Sequence, residues 1–590
     1  MTLGLRVTRI SWDHIHVTFQ MQFEGIDDQD SGLPEVECAL RGDVQFVLQD
    51  GGRKLDAETE HLGNGQYVLT INITRFAGRK QLPDGTWRIV PIILEEAYRP
   101  ATYDVGAADD FPDLSRVFLY ESNHTAYTVS FGFTEADDPP VLLMRAYQLF
   151  RTGKKPRKKK GPIAKLKKYP KRWTSRKNKS KMLNRFYWTV RHRRDTSKPR
   201  ILFASEQRTR IEGNLLRIRD RMVERGLDSQ FSFGESFRVH KTMNKQSTLR
   251  AVYELALADY VFIDDYFALL DSLKLDPNCM VVQVWHAGSG FKAVGYSRFG
   301  KYGSPKLNNA HRKYTYAITG SKQLVPVYSE VFGIEESAVI PTGLPRIDSF
   351  LDPQRTEDVT AEFYREHPDL QGKRLVLFAP TFRGRGIKDA YYPFDKLDLD
   401  ELYDYCGEDT VFLFRMHHFV ADPPPIPEQY RDRLQDFSHF PNGNDLLHVV
   451  DLLITDYSSI IYEYSLLERP MLFFAFDKDV YAATRGFHRD YVETAPCKVC
   501  TTFDGLMEAM RNEDYETERR DRFVRENFDH VDTHSADRVI DWLILGEPVG
   551  TPVEGQNLIE DPASSVAADA PESSSAEDAD DHDPSQEISS

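Results

Sequence analysis

Covalent staples and membrane anchors are what this sequence has least of. Five cysteines among 590 residues are too few, and odd in number, for a disulfide framework, which excludes the small stapled extracellular folds. No apolar run approaches the roughly 20 residues of a membrane span. The opening MTLGLRVTRISWDHIHV lacks the charged-then-apolar layout of a signal peptide. These absences set the expectation of a cytoplasmic protein. A dinucleotide fingerprint is missing too, because Gly384-Arg385-Gly386 is too short to be one. His488-Arg489-Asp490 comes without the Gly-rich loop or Asp-Phe-Gly that would make it a kinase catalytic loop. Metal chemistry is equally thin. Cys497 and Cys500 form a lone C-x-x-C, read as structural, while Asp398-x-Asp400 and Asp477-x-Asp479 read as solvated turns.

What is present is a long globular chain with very uneven charge. Its length allows three or four domains, and 41% hydrophobic with 12% aromatic content is ordinary for soluble proteins. Residues 151–200 hold 22 Lys or Arg against one acid, Asp195, although the chain as a whole carries −16. A run such as KKPRKKKGPIAKLKKYPKRW repels itself and stays extended unless a polyanion neutralises it. Trp173, Phe186, Tyr187 and Trp188 are interleaved with these charges. That pattern suits an anionic membrane surface, where amphipathic rings sit at headgroup depth, better than nucleic acid or a bare linker. Residues 149–199 are therefore expected to be a basic, membrane-contacting linker. Before it, residues 1–148 show short alternating runs (HIHVTFQMQF, GQYVLTINITRF, AYTVSFGF) between Gly, Pro and Asp clusters. This predicts an all-β, sandwich-like accessory domain. After residue 548 the acidic, Ser- and Ala-rich stretch 549–590 has nothing to bury and is expected to be disordered.

From Arg200 the texture becomes α/β. RILFAS, DYVFIDDY, MVVQVWH and YAITGS alternate with helical patterns, and RLVLFAP, VFLFRMHH, DLLITDY and MLFF form a second set. Two sets of βα units predict two doubly wound Rossmann-type domains, 200–370 and 371–548, facing each other. Ligands in such sheets lie beyond the carboxyl ends of the strands. The residues found there include His286, Gly288, Arg346, Thr381, Arg383, Arg415, His417, Asp456, Ser458 and Ser459. Small residues, hydroxyls, arginines and histidines together are chemistry for a diphosphate.

Five motifs then occur in order: VQVWHAGSGFKAVG (282–295), TGLPRID (342–348), LFAPTFRG (377–384), FRMHH (414–418) and DLLITDYSSIIYEYSLLERPMLFFAFD (451–477). The ordered set resembles the CDP-glycerol glycerophosphotransferases, the primases and polymerases of wall teichoic acid and related polyol-phosphate polymers. The resemblance covers about residues 250–530 and implies a GT-B-like pair of domains, with 200–370 on the acceptor side and 371–548 on the donor side. It implies transfer of glycerol phosphate or ribitol phosphate from CDP-glycerol or CDP-ribitol to a lipid-linked polymer acceptor, with release of CMP, at the cytoplasmic face of the membrane. No cofactor is required by this scheme, although Mg²⁺ is compatible with it, and no nucleic acid partner is expected.

By the same resemblance His286 and His417 are the essential histidines, and Ser458 and Ser459 are pyrophosphate ligands. Glu463 stands where the family has a ribose-binding acid, while Arg346, Thr381, Arg383 and Arg415 complete an anion cradle. The first motif departs from the family form: its middle differs and Lys292 sits one residue further along, which leaves the choice of polyol open. The alternative reading is a GT-B nucleotide-sugar glycosyltransferase acting on a cell-surface polymer, which release of UDP instead of CMP would reveal.

Overall fold

The computed structural model describes residues 3–25, 33–76, 78–104, 110–120, 125–134, 137, 139–150, 176–239, 241–286, 293–301, 304–384 and 389–553. Gly288, Trp173 and most of the expected tail lie outside these residues.

Strands dominate up to Phe150. A five-stranded sheet runs in the order Thr59–Gly63, Gln66–Asn72, His16–Glu24, Gly4–Asp13, Thr102–Tyr103. A seven-stranded sheet contains Arg116–Tyr120, Thr125–Phe133, Leu142–Phe150, Gly85–Ile93 and Gln45–Asp50. The alternation seen in the sequence puts every second residue inward, so Val17, Phe19 and Ile71 of one sheet share a core with Phe46, Trp87 and Tyr127 of the other. Two findings modify the expected all-β unit. Helices Pro34–Arg41 and Phe111–Leu114 are built into it. Its core is completed from outside by Tyr296, Phe299 and Leu307, with Phe299 stacked on Phe118 at 5.5 Å.

Two six-stranded parallel sheets follow. In the first, the order is Ser232–Phe237, Arg200–Ser205, Tyr260–Ile263, Met280–Gln283, Tyr316–Ile318, Val339–Ile340. In the second it is Leu434–Asp436, Thr410–Phe414, Arg374–Phe378, Leu452–Thr455, Met471–Phe474, Val499–Cys500. Both faces of a parallel sheet must be covered, which explains the unbroken apolar runs. On one face of the first sheet Leu202, Val261 and Val281 pack against Ala251, Val252 and Leu255 of helix Lys245–Leu257. On the other, Ile201, Phe203 and Ile318 meet Leu215 and Ile218 of helix Gly213–Glu224.

Packing moves the expected domain boundaries. Leu344, Ile347, Phe350 and Phe363 belong to the core of the second sheet, so the chain changes unit before residue 371. It later returns: Val539, Ile540, Trp542, Leu543 and Ile544 cover the first sheet. The return is pinned by the buried Asp348 carboxylate, which accepts from the backbone N–H groups of Ser535 (2.9 Å) and Ala536 (2.7 Å).

The expected membrane role of the aromatic cluster needs correction. Residues Arg176–Arg191 form a helix in which Tyr187 is fully buried and Leu183, Phe186, Trp188 and Val190 pack on the first sheet's core. The spacing 183, 186/187, 190 marks one face of a helix, and the surrounding charges obscure it in the sequence. Arg191 then locks the helix end by donating to Asp276 (2.8 Å) and to the Ala258 carbonyl (2.5 Å). The basic residues 151–175 lie outside the described residues. No helix among the described residues is long and apolar enough to cross a membrane.

Candidate functional site

The strand order of each parallel sheet reverses at one point, and loops diverging there leave a crevice. In the first sheet these are the loops after Arg200–Ser205 and Tyr260–Ile263; in the second, those after Arg374–Phe378 and Leu452–Thr455. Three of the four reach a cavity of about 740 Å³ lined from the first unit by Arg208, Asn214, Asp264 and His286, and from the second by Ser458, Ser459 and Glu463, with Arg346 between. Five residues expected from the sequence thus meet in one cavity: His286, Arg346, Ser458, Ser459 and Glu463.

His286 is held with unusual thoroughness. Trp285, just before it, has φ +47°, a left-handed conformation that costs a non-glycine residue about 1–3 kcal/mol. The buried Gln283 side chain accepts from the Trp285 N–H (2.9 Å) and donates to the Asp265 carbonyl (3.0 Å), tying the two strand ends together. Asn214 donates to the carbonyls of Val284 (2.8 Å) and Trp285 (2.7 Å) and accepts from the Arg346 N–H (2.8 Å). The Arg346 guanidinium donates to the His286 carbonyl. The ring's Nδ1 lies 3.1 Å from the Asp264 carbonyl. A carbonyl can only accept, so Nδ1 carries the proton and the neutral ring keeps its lone pair on Nε2. That is the tautomer a general base needs.

His417 is arranged the other way. Its Nδ1 accepts from the Phe419 N–H at 3.2 Å, so a neutral ring carries its proton on Nε2 and can donate there. The ring stacks on His418 at 4.3 Å and touches Phe382 and Phe419.

Arg346 joins the two units. Its Nη2 is 2.6 Å from Glu463 Oε1, yet neither Nη2 nor Nε has a hydrogen-bond acceptor in suitable geometry. The two groups form a close ion contact in the cavity wall, although their hydrogen-bond geometry is poor. Glu463 is buried at 3% exposure, and burial raises its pKa against the opposing pull of Arg346. Glu463, for which the resemblance implies a ribose contact, lines the cavity with its carboxylate turned to Arg346.

Thr381 and Arg383 also depart from the expected cradle. Asp456 Oδ1 accepts from the Thr381 N–H (2.8 Å) and hydroxyl (2.9 Å), and Oδ2 accepts from Arg383 Nη1 (2.9 Å). Asp477, expected as a solvated turn, takes Arg383 Nε (2.6 Å) and Nη2 (2.9 Å) in a bidentate pair and the Tyr457 hydroxyl (2.9 Å). Burial alone would lower the Arg383 pKa, but the two carboxylates reverse this and hold it above its ordinary value. All five guanidinium donors face this network or its surrounding rings, so Arg383 and Thr381 splice the loop after Arg374–Phe378 to the Asp456 corner instead of lining the cavity. Arg415 is a third case. It donates to the carbonyls of Phe437 (3.2 Å) and Phe440 (2.8 Å) and lies against Gly443, where a Cβ would come 2.9 Å from its Nε. Burial lowers its pKa, and it supports the Asn442–Asn444 loop that forms the cavity wall.

The Ser458 corner differs from its expected form as well. The following α-helix is one turn, Ile461–Tyr464, with Ile460 at its N-cap. The macrodipole of so short an element is small, and what the corner offers is two hydroxyls. Asp398 caps helix Leu399–Cys406 through the N–H groups of Asp400 and Glu401, and burial pushes the Cys497 and Cys500 thiols up to about 11. Among the described residues no group of three or more His, Cys, Asp or Glu could hold a metal ion.

Arg208, Asn214, Asp264 and Asp265 were missed by reading the motifs. Arg208 donates to Asp264 (2.7 Å) and Glu212 (2.7 Å) at the cavity edge. The signal was available, since all four lie in or just beyond the loops after the two strands that flank the reversal.

A family model for CDP-glycerol:poly(glycerophosphate) glycerophosphotransferases matches residues 186–545. The teichoic acid ribitol-phosphate polymerase TarL of Staphylococcus aureus is 40% identical over 344 residues, 58% of this chain and 61% of that protein. The chain thus spans less than two thirds of that relative's length. The teichoic acid ribitol-phosphate primase of Bacillus spizizenii is 32% identical over 302 residues, 50% of this chain and 76% of that protein. The structure of the wall teichoic acid polymerase TagF shares the fold, with a TM-score of 0.50 at 21% identity over 64% of this chain and 95% of that one. With more than half its length matched by the family model, the chain belongs to the CDP-glycerol:poly(glycerophosphate) glycerophosphotransferase family.

Proposed function

We propose that the protein transfers a polyol phosphate from a CDP-activated donor to a hydroxyl of a polymer acceptor and releases CMP. One observation carries this reading: His286, in the tautomer with a free Nε2, shares a cavity with the Ser458 and Ser459 hydroxyls and with the Arg346 side chain. In the reaction Nε2 takes the proton of the attacking hydroxyl while its oxygen bonds to the polyol-bearing phosphorus. The bond from that phosphorus to the oxygen of CMP breaks, and CMP leaves with the electron pair. The Arg346 guanidinium supplies positive charge beside the phosphoryl oxygens, while His417, expected as the second essential histidine, lies outside the lining of this cavity, so the scheme needs no metal and tolerates Mg²⁺. On this reading the two parallel-sheet units are a GT-B-like pair, with the donor held on the Ser458 side.

A donor screen tests the proposal. Purified protein with a short polyol-phosphate acceptor should release CMP from CDP-ribitol or CDP-glycerol and no UDP from nucleotide sugars. CDP-ribitol is the first choice, because the relatives at 40% and 32% identity are named for ribitol phosphate. Release of UDP instead would establish the glycosyltransferase alternative.

A lipid-linked acceptor implies work at a membrane surface. We assign the tether to residues 151–175, which hold 12 Lys or Arg and no acid. Each basic residue near an anionic leaflet is worth about 1 kcal/mol. Exchange of Lys154, Lys155, Lys158, Lys159, Lys160, Lys165, Lys167 and Lys168 for Gln should abolish co-sedimentation with phosphatidylserine vesicles and spare turnover of a soluble acceptor. Sedimentation equal to wild type would assign the tether elsewhere.

A further inference from the structure

We propose that Asp265 is the positioning residue of His286, orienting its ring and stabilising the imidazolium formed when Nε2 takes the acceptor's proton. The inference rests on His286 being the base and extends it to a residue outside all five motifs of the family resemblance. Asp265 Oδ2 lies 3.6 Å from His286 Nδ1, on the side of the ring already fixed by the Asp264 carbonyl. The carboxylate is itself placed: its backbone carbonyl accepts from the buried Gln283, and its Oδ1 accepts from the Tyr266 N–H at 2.5 Å.

Among the described residues, the other carboxylates near the ring already have arginine partners. Asp264 is paired with Arg208 at 2.7 Å, and Glu463 with Arg346 at 2.6 Å. The ion-pair partner of Asp265 is His286. Burial raises the Asp265 pKa and the attraction of the His286 ring pulls it back, as expected where carboxylate and imidazolium favour each other. A carboxylate behind the protonated nitrogen, with the opposite nitrogen facing substrate, is the arrangement that orients and supports a catalytic imidazole. Such support acts in the transition state, where the ring becomes cationic, and leaves donor binding to the other wall of the cavity.

The test uses full-length protein, CMP release from CDP-ribitol (or CDP-glycerol, if the donor screen selects it), and a soluble polyol-phosphate acceptor. Profiles of kcat are taken between about pH 5 and 8, where imidazoles titrate. Asp265→Asn should lower kcat by roughly 10- to 100-fold with donor KM within about threefold. Its acidic limb should move to lower pH, because the protonated ring has lost its counter-charge. Asp265→Glu, which keeps the charge, should hold the limb near its wild-type position. An unmoved limb in Asp265→Asn that melts like wild type, or a loss confined to KM, would overturn the proposal. If Asp265→Asn does not fold, Asp265→Ser carries the same prediction. His286→Ala separates this inference from the reading beneath it. Turnover retained in His286→Ala removes the base itself, whereas turnover lost there with an unmoved limb in Asp265→Asn removes only Asp265.

Discussion

His286→Ala is expected to stop transfer while the donor still binds. A positioned general base contributes about 10² to 10⁴ in rate, and the imidazole is the group facing the cavity with an available lone pair. The donor contacts assigned here come from Ser458, Ser459 and Arg346, none of which the substitution touches. What holds this stretch in place also survives, because Gln283, Asn214 and Arg346 grip the backbone and not the ring. Calorimetry should therefore give a CDP-ribitol affinity within a few fold of wild type, and CMP release should fall by the full factor. Turnover retained at the wild-type rate would remove His286 as the base.

Arg383→Ala is expected to damage folding more than any substitution on the cavity wall. Removing one partner of a buried ion pair leaves the other charge uncompensated and costs about 3–5 kcal/mol. Here the arginine side chain is 9% exposed and Asp456 is 1% exposed, and Asp477 loses its bidentate partner as well. Guanidinium chloride unfolding should show the midpoint drop, with Arg383→Lys intermediate because a lysine cannot reproduce the fork. The result separates two roles for this residue. A phosphate ligand would lose donor affinity at unchanged stability; a splice between loops loses stability first.

The two parallel sheets were legible because a sheet buried on both faces writes itself as unbroken apolar runs, such as RILFAS and LLIT. The rule that ligands gather beyond strand ends picked out His286, Arg346, Ser458 and Ser459, which line one cavity. It could not say which strand-end side chains face the cavity. Thr381 and Arg383 follow a strand as directly as His286 does, and only three dimensions reveal that Asp456 and Asp477 have claimed them. Asp456 opened the Asp-Tyr-Ser-Ser corner as an apparent part of an anion site; its carboxylate is the clamp behind that site. Composition misled in the opposite sense at Phe186, Tyr187 and Trp188. Basic neighbours made the cluster look like a membrane edge, while its helical spacing was the truer guide to a core-facing helix.

The return of residues 539–544 to the first sheet has a consequence for how the chain is made. Emerging from a ribosome, the first parallel sheet has all six strands once Ile340 is out, yet one face keeps a bare apolar strip until some two hundred further residues have followed. The earlier strand unit waits likewise for Tyr296, Phe299 and Leu307. Neither can be finished in the order in which it is synthesised, so the nascent chain carries unsealed cores for most of its translation, when aggregation competes with folding. Closure of the first sheet falls to a few hydrophobic side chains made long after its last strand.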